Sequence, residues 1–358
     1  MSEITVSYVK DKDIINGTLK ILEKSLLESI ITCKDIQISL KPNGVRTMLP
    51  SEGSTTHTEI IEGIIIFLQQ RGVFNIEIIE SAWVGDDTEC VYEMLGYYKI
   101  AKKYGVKIFD LKRDKTCKVK CGEFEFNICE KVLKADFLIN IPVLKIHPQT
   151  TMTCCLKNLK GCIPDSEKRR FHAIGLNAPI AWLNKAIRAD FCIVDAICGD
   201  LTFEGSNNIV TRNMLICGTD PLLLDTYCAE ILGYSIADIE HLNIAAKIGV
   251  GKIYSKNTKV HELNSKNKPK FSGKATNLVK KLGDYVEEQS ACSACYSSLI
   301  YALNKSGIIP ESKISIGQGF RGKSGDIGCG NCTKLFEKYV PGCPPKAVDI
   351  VELLSIIG

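Results

Sequence analysis

Five cysteines in the last seventy residues are the side chains of this sequence best suited to chemistry. Cys292 and Cys295 form a C-x2-C pair, Cys329 and Cys332 form a second, and Cys343 follows inside Val340-Pro341-Gly342-Cys343-Pro344-Pro345. C-x2-C lets two sulfurs from one turn reach one metal centre, and thiolates favour zinc or iron–sulfur clusters. A cysteine between a glycine and two prolines sits on a rigid turn, its sulfur held clear of regular structure. The two pairs alone also fit a zinc ribbon. However, thirty-three residues separate them, longer than ribbon spacing, and zinc leaves Cys343 without a role. A 4Fe–4S cluster needs four thiolates, and five are available.

A second concentration of functional side chains runs from Lys145 to His172. Lys145 and His147, two residues apart, share one face of an extended segment. Thr150, Thr151 and Thr153 are placed to cap a short helix whose free N–H groups would favour an anion. Lys157, Asn158 and Lys160 add cationic and amide donors, and two of the five histidines, His147 and His172, lie here. Histidine suits acid–base work near neutral pH, and lysine can hold a carboxylate or polarise a carbonyl. The bland alternative is a basic surface with one structural histidine. The density of donors, in a segment with little amphipathic periodicity, favours a binding site.

These groups need elements to position them. Ile4–Val9, Ile36–Lys41, Ile76–Glu80, Val106–Asp110, Phe137–Val143, Phe191–Asp195 and Asn213–Cys217 read as strands. Helices are predicted over Thr58–Arg71, Glu89–Tyr104, Ala178–Arg188 and Pro221–Leu232, most of them closed by a glycine. Alternating short strands and helices predict an α/β fold, a mostly parallel mixed sheet flanked by helices. Asp114–Ile128 alternates like a hairpin and predicts an antiparallel excursion of that sheet. Ligands gather beyond the carboxyl ends of parallel strands. Asn43, Glu80, Lys145, His147, Asp195 and Asp220 are therefore expected on one rim, though each alone is an ordinary cap or turn residue. Val260–Lys274, rich in Lys, Asn, Ser and Pro, reads as a linker. The predicted organisation is an α/β domain over 1–260, a linker over 261–274 and a small C-terminal iron–sulfur domain over 275–358, opened by a helix over Ala275–Glu288.

Composition narrows the function. The chain has 358 residues, 45% of them hydrophobic, enough for one large domain and a smaller one. Forty-five basic and 41 acidic residues leave a net charge of +4, and no long basic run supports nucleic-acid binding. The first ten residues lack an apolar signal core. The longest apolar stretch, Ile60 to Leu68, is broken by Glu62 and is too short to span a bilayer. A cytoplasmic location without membrane contact is expected. Seventeen cysteines without an export signal point to reduced thiols and metal binding rather than disulfides, as in an anaerobe. Cys33, Cys90, Cys192, Cys217 and Cys228 read as small buried hydrophobes. The sequence has no Walker-type loop, no G-x-G-x-x-G opening a helix and no G-x-S-x-G.

Several of these blocks carry a family resemblance. Lys41-Pro42-Asn43, Lys145-Ile146-His147, Thr153 with Leu156-Lys157-Asn158-Leu159-Lys160-Gly161, Lys168 with His172, Val194-Asp195-Ala196, and Gly218-Thr219-Asp220 with Asp225 resemble domain-of-unknown-function family 362 over roughly residues 1 to 255. The resemblance implies a prokaryotic protein, often joined to an iron–sulfur segment. Gly330-Asn331-Cys332-Thr333 and Tyr339-Val340-Pro341-Gly342-Cys343-Pro344-Pro345 resemble the proximal cluster segment of nickel–iron hydrogenase small subunits. On that likeness Cys332 and Cys343 match the last two cluster ligands and Cys292 and Cys295 supply the first pair. Cys329 has no counterpart there and is a spare or substitute ligand. The layout of the core is also similar to the N-terminal half of nickel-pincer lactate racemases, without a motif that would carry over their cofactor.

The resulting expectation is a redox enzyme with one 4Fe–4S cluster on Cys292, Cys295, Cys332 and Cys343. Its small anionic substrate would lie near Lys145, His147, Lys157 and His172, with Asn43, Glu80, Asn158 and Asp195 completing the rim. His147 is expected to donate a proton, and Lys145 and Lys157 to stabilise charge. A redox partner such as a ferredoxin is implied, and a homodimer is left open. A non-catalytic electron-transfer protein, a lactate-racemase-like isomerase and a structural zinc protein are the alternatives.

Overall fold

The structure is a computed structural model that describes residues 3–9, 13–203, 205–206, 208–268 and 278–357. Eight strands form the main sheet: β1 (Ile4–Tyr8), β2 (Ile38–Pro42), β3 (Ile76–Glu80), β4 (Lys107–Asp110), β5 (Phe137–Ile141), β6 (Phe191–Asp200), β7 (Ile209–Gly218) and β8 (Val260–Leu263). Their order is β8-β1-β7-β6-β5-β2-β3-β4. Strands β6, β5, β2, β3 and β4 run parallel to one another, and β8 runs parallel to β1. Only β7 is antiparallel, to both β1 and β6. Helices flank the sheet, which is the mostly parallel α/β fold expected.

The side-chain period of two explains how the sheet carries both a core and a site. On β2, Ile38 and Leu40 join an apolar cluster with Ile60, Ile64 and Phe67 of the helix Thr58–Gln70. Ser39 and Lys41, between them in sequence, instead meet Glu77 and Glu80 of β3. The opposite apolar cluster gathers Leu156, Leu159, Phe171, Ile180 and Leu224 from helices after β5 and β7.

Several elements differ from the sequence expectation for identifiable reasons. The helix expected over Glu89–Tyr104 is two helices, Thr88–Met94 and Tyr97–Tyr104, because Gly96 at φ 71° ends the first in the left-handed region. The hairpin Thr116–Cys121/Phe124–Cys129 pairs only with itself, so the antiparallel part of the main sheet comes from β7. The start of the expected linker is strand β8. It is an edge strand whose polar side chains bond outward, Glu262 accepting from the Tyr8 hydroxyl at 3.0 Å, so its composition resembles a linker. Residues 269–274 lie outside the described residues. Cys33 and Cys90 are exposed rather than buried, whereas Cys192, Cys217 and Cys228 are buried as expected.

Beyond residue 277 the chain builds a separate parallel sheet of β9 (Val286–Glu288), β10 (Ile314–Ile316), β11 (Ile327–Cys329) and β12 (Lys338–Val340). The helix expected over Ala275–Glu288 is a short helix, Leu278–Gly283, followed by β9; residues 275–277 lie outside the described residues. Leu299, Ile300 and Leu303 of the helix Ser293–Ser306 pack with Ile314, Ile316, Ile350 and Leu354 in a third apolar cluster. Among the described residues, no helix is long and apolar enough to cross a membrane.

Candidate functional site

The carboxyl ends of β2 and β3 open into a cavity of about 90 Å³ that is partly open to solvent. Lys41 and Glu80 form its floor as a fully buried ion pair, Nζ to Oε2 at 2.9 Å. Glu80 also accepts from the backbone N–H groups of Gly44 and Ser81, at 2.8 and 2.7 Å, so one carboxylate fixes a lysine and two strand-end turns. Gly161 is required by this pair. A Cβ there would lie 2.1 Å from Glu80 Oε1 and 2.6 Å from Lys41 Nζ. That contact gives the final glycine of Leu156-Lys157-Asn158-Leu159-Lys160-Gly161 a physical reason.

Lys145 and His147 reach the cavity from a short hairpin, Lys145–His147 with Thr151–Thr153, rather than from an extension of β5. Their shared face follows from the period of two. Lys145 donates to the Ser54 carbonyl at 2.8 Å. His147 Nδ1 accepts from the Gln149 and Thr150 backbone N–H groups, at 3.2 and 3.3 Å. A ring nitrogen that accepts from amides carries no proton, so the imidazole proton sits on Nε2. Burial, then Lys157, Lys160 and Lys145, push the His147 pKa well below its usual range. The ring is therefore a neutral N–H donor at pH 7, which changes the proton-donor role expected of it. Burial, then Lys160 and Lys157, do the same to His172.

The threonines do not cap a helix. Thr151–Thr153 is a strand, and the N–H groups of Cys155 and Leu156, which open the next short helix, donate to the buried Asp225 carboxylate at 2.7 and 3.0 Å. The anion site expected at that helix start is filled by the chain's own aspartate. Cys154, Cys155 and Asp225 lie within 4.8 Å of one another, close enough for one metal ion, but wholly buried.

The second cavity is lined by all five tail cysteines, with Arg169, Gln318 and Arg321. Cys292 precedes the helix Ser293–Ser306 and Cys295 lies in its first turn. Cys332 and Cys343 come from loops around Gly330 and Gly342, both with positive φ; Gly342 N–H donates to the Asn331 side chain at 2.7 Å. The thiols are not equivalent. The hydrogen bond from Cys295, then the guanidinium of Arg169, bring Cys343 down to about 6. Burial alone pushes Cys329, on β11 in the apolar cluster, up to about 12.

The two cavities share Cys292. Gln149 donates to the Ala291 carbonyl at 3.0 Å and accepts from the Ser293 hydroxyl at 2.7 Å. The Ser293 backbone N–H points to His172 Nε2 at 3.5 Å. Gln318 donates to the Arg169 carbonyl at 2.9 Å. These contacts seat the first cysteine pair on the rim of the main sheet.

Of the rim residues read from sequence, Asn43, Glu80, Lys145, His147, Lys157, Asn158 and His172 line the first cavity. Asp195 does not. It accepts from His57 at both the backbone N–H and Nδ1, at 2.7 and 2.8 Å, and secures the start of the helix Thr58–Gln70. Asp220 caps the helix Pro221–Ile231 and lies elsewhere. Lys160, read from sequence as a cationic donor, and Lys41 and Lys168, which stood only in the resemblance blocks, also line the cavity, and Trp83 is the lining residue that sequence reasoning passed over. Lys168 donates to the carbonyls of Ser81 and Ala82, and burial brings it down to about 8.

The profile of a family described as domain of unknown function, DUF362, matches residues 38–230, more than half of the chain and the whole span from Asn43 to Asp225. A thylakoid-associated protein of Synechocystis sp. is 24% identical over 265 residues, covering 69% of this chain and 80% of that protein. A solved protein from Thermotoga maritima has 14% identity and a TM-score of 0.41, covering 67% of this chain. The lactate racemase apoprotein from Thermoanaerobacterium thermosaccharolyticum has 13% identity and a TM-score of 0.43, covering 65%. The matched parts are 59% and 57% of those two chains.

Proposed function

We propose that this chain, which belongs to the DUF362 family, is a redox enzyme that holds one 4Fe–4S cluster on Cys292, Cys295, Cys332 and Cys343 and acts on a small anionic molecule in the lysine-lined cavity. The observation that carries this reading is the shared wall: Cys292 belongs to both cavities. A molecule bound among the lysines then touches the residue that would ligate the cluster.

The donor set fits the cluster. Four thiols from two helix-start and two loop positions face one cavity, with guanidiniums at its edge. A single zinc ion, with Zn–S bonds of about 2.3 Å, would draw its thiolates to within about 4 Å of one another. A zinc site on the two C-x2-C pairs leaves Cys343 outside the ligand set although it lines the cavity with the others, and the cluster reading uses it. Cys329, raised by burial and packed in the apolar cluster, supports the four-ligand set without it. When bound, the cluster supplies single electrons, delivered by a protein donor such as a ferredoxin.

The chain's own residues account for the rest. Five lysines and one carboxylate, Glu80, line the cavity among the described residues, which favours an anionic ligand. His147 presents its Nε2–H to that ligand and stabilises negative charge that develops on it. The lysines that help hold the ring neutral are offset once an anion binds. The ring then becomes a better base for a proton and can pass one on. His172 and Ser293 close the side facing the cysteines.

Replacing Cys343 with Ser tests the ligand assignment. Its broad visible absorbance should disappear from anaerobically purified protein, and an unchanged spectrum would remove Cys343 from the ligand set. His147→Ala should keep the absorbance and lose turnover. If His147→Ala still turned over substrate at the wild-type rate, the chain would be an electron carrier rather than the enzyme.

A further inference from the structure

The helix Asp165–Ile174 faces both cavities at once. Lys168 and His172 line the lysine cavity, whereas Arg169, between them in sequence, lines the cysteine cavity. The main-sheet body thus reaches into the cysteine site with a charged side chain of its own. Its only other cation there, among the described lining residues, is Arg321 from the tail.

Two contacts hold Arg169 in that place. Its carbonyl accepts from Gln318 Nε2 at 2.9 Å, and the same Gln318 nitrogen lies 3.9 Å from Cys292 Sγ. One turn later, His172 meets the Ser293 hydroxyl at 3.4 Å. The helix is therefore pinned on both sides of the first cysteine pair, and the guanidinium stands beside Cys343. Arg321 takes the corresponding place beside Cys332.

We propose that Arg169 is a positioning residue through which the α/β body sets the reduction potential of the cysteine-bound group. The inference rests on the cluster reading above. Its physical basis is charge. Four thiolates around a 4Fe–4S core leave a net negative site, and reduction adds one more negative charge. A cation beside a ligand sulfur stabilises the reduced form more than the oxidised form, so it raises the potential. Arginine suits the task because its guanidinium stays charged at any working pH and donates hydrogen bonds from a rigid fork. Because the same helix carries Lys168 and His172, the residue that tunes the electron source is fixed to the wall of the binding cavity.

The test compares wild type, Arg169→Gln and Arg169→Lys as full chains purified anaerobically. Iron and sulfide are counted, and the midpoint potential is read by redox titration followed by electron spin resonance. Arg169→Gln should keep its iron and show a lower midpoint, with Arg169→Lys between it and wild type. A midpoint unchanged in Arg169→Gln overturns the role of Arg169 and leaves the cluster reading standing. Wild-type protein without iron overturns both. If Arg169→Gln loses iron, the neutral Arg169→Ala decides: a lowered midpoint supports the role, and a wild-type midpoint with full iron refutes it.

Discussion

The lysine cavity and the cysteine cavity touch at Cys292 but are built in opposite ways. The first is made by strand ends and is held before any ligand arrives. Lys41, Glu80 and Gly161 interlock within the core, and Glu80 organises two turns as well as its lysine. The second is made mostly by loops, with positive-φ glycines beside Cys332 and Cys343 and thiols that range from buried to exposed. Its polar side chains are five thiols, two guanidiniums and the amides of Gln318 and Asn331. The contrast teaches that the lysine cavity is fixed by buried contacts within the fold, whereas on the proposed reading the cysteine site takes its order from the group it holds.

The comparison can be broken from either side, and the effects should scale accordingly. Removing one carboxylate from the prebuilt side should be the most damaging to stability. Glu80→Gln leaves Lys41 buried without its counter-charge, a loss of about 3–5 kcal/mol in chemical denaturation, while the tail thiols are untouched. A stability near wild type would mean the pair does not organise the cavity.

The His57–Asp195 pair gives a pH-dependent version of the same test. Burial alone would lower the His57 pKa, but the Asp195 carboxylate overrides it and raises it to about 11. A folded pKa above the ordinary 6.5 means the pair's contribution is complete below pH 6.5 and lost as pH rises toward 11. Wild type should therefore lose stability across that window relative to Asp195→Asn, whose profile should be flatter. Parallel profiles in denaturation at the two ends of the window would contradict the pairing.

The smallest effect is expected at Cys329. Cys329→Ala should retain iron and cost only about 1 kcal/mol, the ordinary price of a small core change. Loss of iron there would make Cys329 a ligand and erase the distinction between it and Cys343.

Much of this was legible from sequence, and the misses have physical causes. The parallel strands announced themselves by short apolar runs between glycine-ended helices. Lys145 and His147 were found because their spacing of two matches a strand, although the strand is a three-residue hairpin arm. Asp195 was misplaced because a strand-end aspartate reads the same whether it meets a ligand or His57. Lys41 stood in a resemblance block without a role, because an apolar strand gives no sign that its one lysine faces a buried glutamate on the neighbouring strand. Edge strand β8 was read as linker because an edge needs few apolar residues.

The central claim is that the tail cysteines hold an iron–sulfur cluster beside the anion cavity. Counting metal and acid-labile sulfide in anaerobically purified wild-type protein tests it most directly. The account expects about four iron and about four sulfide per chain, with zinc well below one. Stoichiometric zinc without sulfide, or no metal at all, would contradict it.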